Sequence, residues 1–262
     1  MAQRILITAG AEGIGLAIAK AFVAQGARVH IADVNGDAVR DIVAQNPGIS
    51  GSIGDVSKAA DLDVLFADVQ REMGGLDVLV NNAGIAGATA PVSDYPEDTW
   101  HAVLNVNLTG TFLVTQRAIP LLKQSSAGSI IVMSSLAGRF GYANRVAYST
   151  TKWGLVGLTK TLSLELGPLG ITANSIHPGA VDGPRIQSVF EGRAKVSGRT
   201  PEQEKDLALD NQSVKKFIDP ATPPTLKVTF RPLPGCCKRF TSSAVSSLET
   251  LGTRAPNPTR QR

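Results

Sequence analysis

The stretch Arg4-Ile5-Leu6-Ile7-Thr8-Ala9-Gly10-Ala11-Glu12-Gly13-Ile14-Gly15 decides the fold. A short apolar run ends at Thr8, a glycine-rich turn follows, and helical spacing of apolar residues begins at Ile14 and continues to Gln25. Gly10, Gly13 and Gly15 allow the backbone to approach a pyrophosphate closely. The new helix would present free N–H groups and the positive end of its dipole to that anion. Glycine also suits an ordinary strand-to-helix turn, so the turn needs support from elsewhere. Support comes from the next apolar run, Arg28–Ala32, which closes on Asp33, 18 residues after Gly15. A carboxylate at that place accepts hydrogen bonds from an adenosine ribose and repels a 2′-phosphate. Turn and carboxylate together predict a dinucleotide site, with NAD preferred over NADP.

Outward from this stretch, apolar strand-like runs recur at Leu76–Val80, Ser129–Met133 and Ile171–Ile176, with a further strand implied before Gly54. Between them, Ala60–Met73, Thr99–Lys123 and Tyr148–Leu166 carry apolar residues at helical spacing. Strand–helix–strand repeats of this length predict an α/β fold, a doubly wound parallel sheet of Rossmann type with helices on both faces. Ligands of such sheets bind beyond the carboxyl ends of the strands. Two segments share that address. Gly54-Asp55-Val56 follows the third strand and Asn81-Asn82-Ala83-Gly84 the fourth, both suited to walling an adenine and its ribose.

Composition limits the alternatives. The chain has 262 residues, 43% hydrophobic and 18% charged, enough for one large α/β domain. Its two cysteines, Cys236 and Cys237, are adjacent and build neither a disulfide framework nor a metal site, as expected in a reducing compartment. No basic-then-apolar leader and no long apolar stretch is seen, so the expectation is a soluble, cytoplasmic protein without membrane contact. The net charge of +4 divides unevenly. Residues 221–262 hold seven Lys or Arg against Glu249 alone, so the body is mildly acidic and no nucleic-acid partner is expected. His30, His101 and His177 are scattered, which predicts no metal site.

The chemistry concentrates in Tyr148-Ser149-Thr150-Thr151-Lys152. Four residues apart on a helix, Tyr148 and Lys152 share a face. A free phenol titrates near pH ~10, and a neighbouring ammonium favours its phenolate. That combination suits general acid–base work at neutral pH. Ser135 closes a strand 13 residues earlier and can hold a substrate oxygen beside the phenol.

Glycine turn, acidic strand end, Asn-Asn-Ala-Gly block, serine and Tyr-x-x-x-Lys occur here in that order. From about Arg4 to Pro220 the chain resembles the short-chain dehydrogenase/reductase family. The resemblance implies an NAD-dependent oxidoreductase that moves a hydride between a secondary alcohol or ketone and nicotinamide. Tyr148 would be the acid/base, Lys152 its tuner and a ribose ligand, and Ser135 (rather than Ser134, by spacing) the oxygen holder. Asn107 would support a proton-relay water. The cofactor would lie on Gly10, Glu12, Gly13, Ile14, Gly15, Asp33, Asp55, Val56, Asn82, Ala83, Gly84, Tyr148 and Lys152. Pro178-Gly179 and the Val181 backbone would sit beside the nicotinamide. The family also implies a homo-oligomer, tetramer or dimer, and a small alcohol or carbonyl substrate.

The sequence departs from the family at Ala9, at Gly183 and in the tail. Ala9 replaces the first turn glycine, and alanine is small enough for the turn to survive. Gly183 replaces a threonine after the Pro-Gly turn. Arg185–Ile218, polar and weakly periodic, reads as a flap over the site within a domain spanning 1–220. The tail, 221–262, is Pro-, Ser- and Thr-rich and lacks the family's last helix and strand, as a region read in another frame would. A tail so altered leaves a second reading, a non-catalytic or disabled NAD-binding protein.

Overall fold

The computed structural model describes residues 2–210 and 217–218; the reading of the tail lies outside the described residues. Six strands form one parallel sheet: β1 Arg4–Thr8, β2 Arg28–Asp33, β3 Ile49–Ile53, β4 Val78–Asn81, β5 Ser129–Met133 and β6 Thr172–Ile176. Their order is β3-β2-β1-β4-β5-β6. Chain direction across the sheet reverses between β1 and β4, which opens a crevice at their carboxyl ends. Ile5, Leu6 and Ile7 are completely buried. Consecutive apolar residues are what a strand covered on both faces requires.

Helices α1 Gly13–Val23 and α2 Gly36–Gln45 cover one face, packing Ala19, Phe22, Val39 and Val43 against Ile5, Ile7, Val29 and Ile31. The other face is covered by α3 Ala59–Met73, α5 Thr111–Leu122 and α6 Val146–Leu166, through Leu65, Val69, Val114, Leu155 and Leu162. Helix α4 Glu97–Leu104 does not run straight into α5. Six residues, Asn105–Gly110, form a wider π turn between them, so the single periodic segment expected over 99–123 is three segments. Such a turn holds an extra residue and re-aims the side chains that follow. Helix α2 also goes beyond the sequence reading; the Asn35 side chain caps it, accepting from the Ala38 N–H at 3.2 Å. The stretch expected as a flap contains two helices, α7 Pro184–Ser197 and α8 Pro201–Asp210.

One buried polar chain tunes the sheet rather than the site. His30 on β2 is 1% exposed; its ring nitrogens meet Ser50 Oγ at 2.8 Å and Ser52 Oγ at 2.9 Å. Ser52 Oγ donates in turn to Asp68 on α3. Burial pulls the His30 imidazole down to about 4, against the opposing charge of Asp68. The unfolded chain binds that proton near pH 6.5, so stability present above this value drains away as pH falls to about 4. The loss attributable to His30 is about 3 kcal/mol. Urea melts at several pH values in this window would show it, and a His30→Asn variant should be flatter. Equal slopes for the two proteins would remove His30 as the source.

Candidate functional site

The crevice begins at the turn after β1. Ala9 adopts φ 50° and Gly13 φ 52°, so the turn survives the missing glycine by holding an alanine in left-handed backbone. That conformation costs an alanine on the order of 1 kcal/mol. Gly15 is required by contact, since a Cβ there would lie 2.0 Å from the Ala9 carbonyl oxygen. A Cβ at Gly13 would meet no protein atom within 4 Å. Open space therefore lies over the start of α1, and the Glu12 side chain leaves the first-turn N–H groups uncapped. Uncapped N–H groups facing open space at a helix start are what could hold a pyrophosphate.

Asp33 stands at the rim. Its carboxylate accepts from the Ala11 N–H and the Asn35 N–H, both at 3.1 Å. Glu12 accepts from Asn35 Nδ2 at 2.8 Å, and Asn35 thereby links two carboxylates, Glu12 and Asp33, at the end of β2. Asp55 is turned toward its own loop, accepting from Ser57 N–H and Oγ, and Val56 is buried against Gly110. Asn82 locks the crevice floor: its Nδ2 donates to the Thr8 and Ala9 carbonyls, and the Asn82 and Ala83 N–H groups both donate to Thr8 Oγ1. Gly84 sits close to Asn107, since a Cβ there would lie 3.2 Å from its Oδ1, a tight contact.

Asn107, in the π turn, is fully buried. Its Oδ1 accepts from the Ile85 N–H at 2.7 Å, and its Nδ2 donates to the Ile85 carbonyl and to Thr151 Oγ1. The side chain thus braces the loop after β4 against α6, and its polar atoms are spent on that bracing. Lys152 on α6 is 4% exposed and donates from Nζ to the Met133 carbonyl at 2.7 Å. Burial, with Arg185 adding repulsion, pulls its ammonium down to about 7. Nζ lies 5.5 Å from the centre of the Tyr148 ring.

The two serines after β5 divide their duties. Ser134 is buried and donates to the Lys152 carbonyl at 2.9 Å, whereas Ser135 is half-buried and only accepts from the Ala137 N–H. Gly138 permits this close seating, since a Cβ would lie 2.6 Å from the Lys152 carbonyl oxygen. His177 steadies Ser135 from the other side, its Nδ1 lying 3.0 Å from the Ser135 carbonyl oxygen. The Pro178 carbonyl accepts from the Leu136 N–H, so Pro178-Gly179 lies against the same turn. Ile218 bridges Val181 through the Ala180 carbonyl and the Asp182 N–H, which points the Val181 N–H and C=O to the opposite side.

Sequence reasoning missed Arg145 and Arg185. Arg145 caps α6, is 5% exposed, and sets its guanidinium carbon 5.0 Å from the centre of the Tyr148 ring. Its only sequence signal was the spacing of three to Tyr148, which puts both on one helical face. Among the described residues, no group of three or more His, Cys, Asp or Glu gathers to hold a metal, and no helix is long and apolar enough to cross a membrane.

Comparison with known proteins identifies the family and the fold. A family model described as short chain dehydrogenase matches residues 3–194. The chain is 40% identical over 225 residues to a D-beta-hydroxybutyrate dehydrogenase of Cupriavidus necator, covering 82% of this chain and 85% of that one. The structure superposes on NAD+-bound xylitol dehydrogenase with a TM-score of 0.80 at 29% identity, covering 84% and 88% of the two chains. A variant of actinorhodin polyketide ketoreductase with NADPH gives 0.79 at 30% identity, covering 84% and 86%.

Proposed function

The chain belongs to the short-chain dehydrogenase/reductase family, an oxidoreductase family that acts on CH–OH groups with a nicotinamide cofactor, and we propose that it is an NAD-dependent dehydrogenase of secondary alcohols with Tyr148 as its acid/base. The observation that carries the proposal is the setting of Tyr148: a phenol between the buried Lys152 ammonium and the Arg145 guanidinium, on the helix beside Ser135.

When bound, the nicotinamide supplies the acceptor for the hydride that leaves the carbinol carbon. The residues of the chain hold the dinucleotide and move the proton. Gly13, Ile14 and Gly15 take the pyrophosphate on their N–H groups, Gly10, whose N–H donates to the Ala32 carbonyl at 3.3 Å, seats the turn against β2, and Asp33 takes the adenosine ribose. Asp55, Val56, Ala83 and Gly84 wall the adenine side; Pro178, Gly179 and Val181 border the nicotinamide. Ser135 Oγ orients the substrate oxygen, and the Tyr148 oxygen receives the hydroxyl proton in oxidation and returns it in reduction. Lys152 holds the nicotinamide ribose and, as an ammonium, stabilises the negative oxygen. Asn107 keeps the loop after β4 and α6 at fixed separation.

Asp33 and Glu12 support NAD over NADP, because a 2′-phosphate would meet two carboxylates. The relatives act, by name, on a hydroxy acid, a sugar alcohol and a polyketide. That spread selects no substrate by itself. The proposal includes a cytosolic homo-oligomer, dimer or tetramer, which size-exclusion chromatography tests. The deciding assay is NADH formation over a panel of hydroxy acids, cyclic diols, sugar alcohols and hydroxysteroids. NAD binding without turnover of any of them would leave a non-catalytic protein, and better turnover with NADP would overturn the cofactor assignment.

A further inference from the structure

Arg145 is a buried cation without a counter-charge. At 5% exposure, its guanidinium makes no hydrogen bond or ion pair among the described residues. Guanidinium groups stay charged, and taking one out of water uncompensated costs several kcal/mol. The surrounding charges make this worse. Arg185 and Arg193 from α7 both act on Arg145 repulsively, and Arg185 acts the same way on Lys152. The charged groups acting most strongly on Arg145 are these two cations. Arg193 has a partial outlet in Glu204, and its guanidinium stacks on Tyr142. Arg145 has only the face of Tyr148.

The backbone fixes this arrangement. Asn144 adopts φ 63° and accepts from the Ala90 N–H at 3.1 Å, which ties the start of α6 to the loop after β4. Tyr95, next along that loop, has its hydroxyl shielded from water and makes no hydrogen bond at bonding geometry, although the Ala88 N–H lies nearby. Arg145 also acts on Tyr95. An unpaired donor fork and an unpaired hydroxyl therefore face the same region. The loop after β4 reaches it through Ala90 and Tyr95, and α7 through Arg185 and Arg193.

We propose that Arg145 is the anchor for a carboxylate on the substrate, so that the alcohol oxidised at Tyr148 is a short hydroxy acid. This rests on the Tyr148 reading given above. The planar fork of Arg145 matches a carboxylate in two parallel hydrogen bonds, and Arg185 at the mouth of the site adds attraction for the incoming anion. The distance from Arg145 to the Tyr148 ring limits the reach to a carboxylate only a few bonds from the carbinol carbon. Arg145 is thus a specificity-determining residue, and the unliganded enzyme carries its cost.

The test uses acetoacetate and levulinate, each against its primary amide, in NADH-dependent reduction. Wild-type protein should favour the better acid over its amide in kcat/KM, and Arg145→Gln should collapse that ratio by about 10²-fold, mostly through KM. Arg145→Lys should recover part of it. Fluorescence titration of NADH onto Arg145→Gln separates a substrate carboxylate from a dinucleotide phosphate, since loss of NADH affinity would move the anion to the cofactor and overturn the proposal. A second readout needs no turnover. Without ligand, Arg145→Gln should melt higher than wild type, because an unpaired buried charge is gone. Acetoacetate or levulinate should raise the melting temperature of wild type and not of the variant. A structural role predicts the opposite, a lower melting temperature for the variant. An unchanged acid-to-amide ratio, or no shift by either acid, overturns the proposal. Absence of any reduction together with an acid-induced shift in wild type alone would instead overturn the catalytic reading and keep the anion site.

Discussion

Tyr148→Phe is expected to lower kcat for alcohol oxidation by about 10²–10⁴-fold, the range assigned to a positioned acid/base. The substitution isolates the chemistry because no hydrogen bond in the described structure uses the Tyr148 hydroxyl, while the ring keeps its place under Arg145 and beside Lys152. Melting temperature and NADH affinity should therefore stay near the wild-type values. A drop in kcat with little change in KM would locate the loss in the transition state. Retention of activity within about tenfold of wild type would place proton transfer on another group.

The second large effect concerns the cofactor. Asp33→Asn removes the charge that a 2′-phosphate would meet and keeps an oxygen for one of the Ala11 and Asn35 N–H groups, from which the carboxylate accepts on separate oxygens. The ratio of kcat/KM for NADP to that for NAD should rise by about 10²-fold, since like-charge opposition at close range costs several kcal/mol. Adding Glu12→Gln should raise the ratio further, because Glu12 is held to the same rim by Asn35. Steady-state kinetics with both dinucleotides read this directly. A ratio that does not move would mean that the ribose lies elsewhere than at the end of β2.

Much of the fold was legible because parallel strands buried on both faces are simple runs of Ile, Val and Leu. The glycine turn was legible for a related reason: Gly15 leaves no room for a Cβ, so its identity reports its contacts. Ala9 shows the limit of that reasoning, since the turn retains a positive φ without the residue that adopts it most cheaply. Helix α2 was missed because it is short and its stripe rests on three large apolar residues, Val39, Ile42 and Val43, among polar ones. The π turn was invisible since its residues continue a helical pattern, and hydrogen-bond slippage has no side-chain signature. Tyr148 and Lys152 were readable from their spacing. Arg145 was not, because an arginine before a helix normally reads as solvated, and only tertiary burial shows that it has lost most of its water and has no ion-pair partner among the described residues. For the same reason the bracing done by Asn107, through Ile85 and Thr151, could be read only in the folded chain.

The π turn at Asn105–Gly110 has a geometric consequence. A straight helix would tie the phase of α4 to that of α5 at every position. The wide turn offsets the two. Upstream, Thr99 and the buried Val103 face Gly87 in the loop after β4; downstream, Val114, Ala118 and Leu122 pack into the interior. One continuous piece of chain thus serves two neighbours whose bearings a single regular helix could not match.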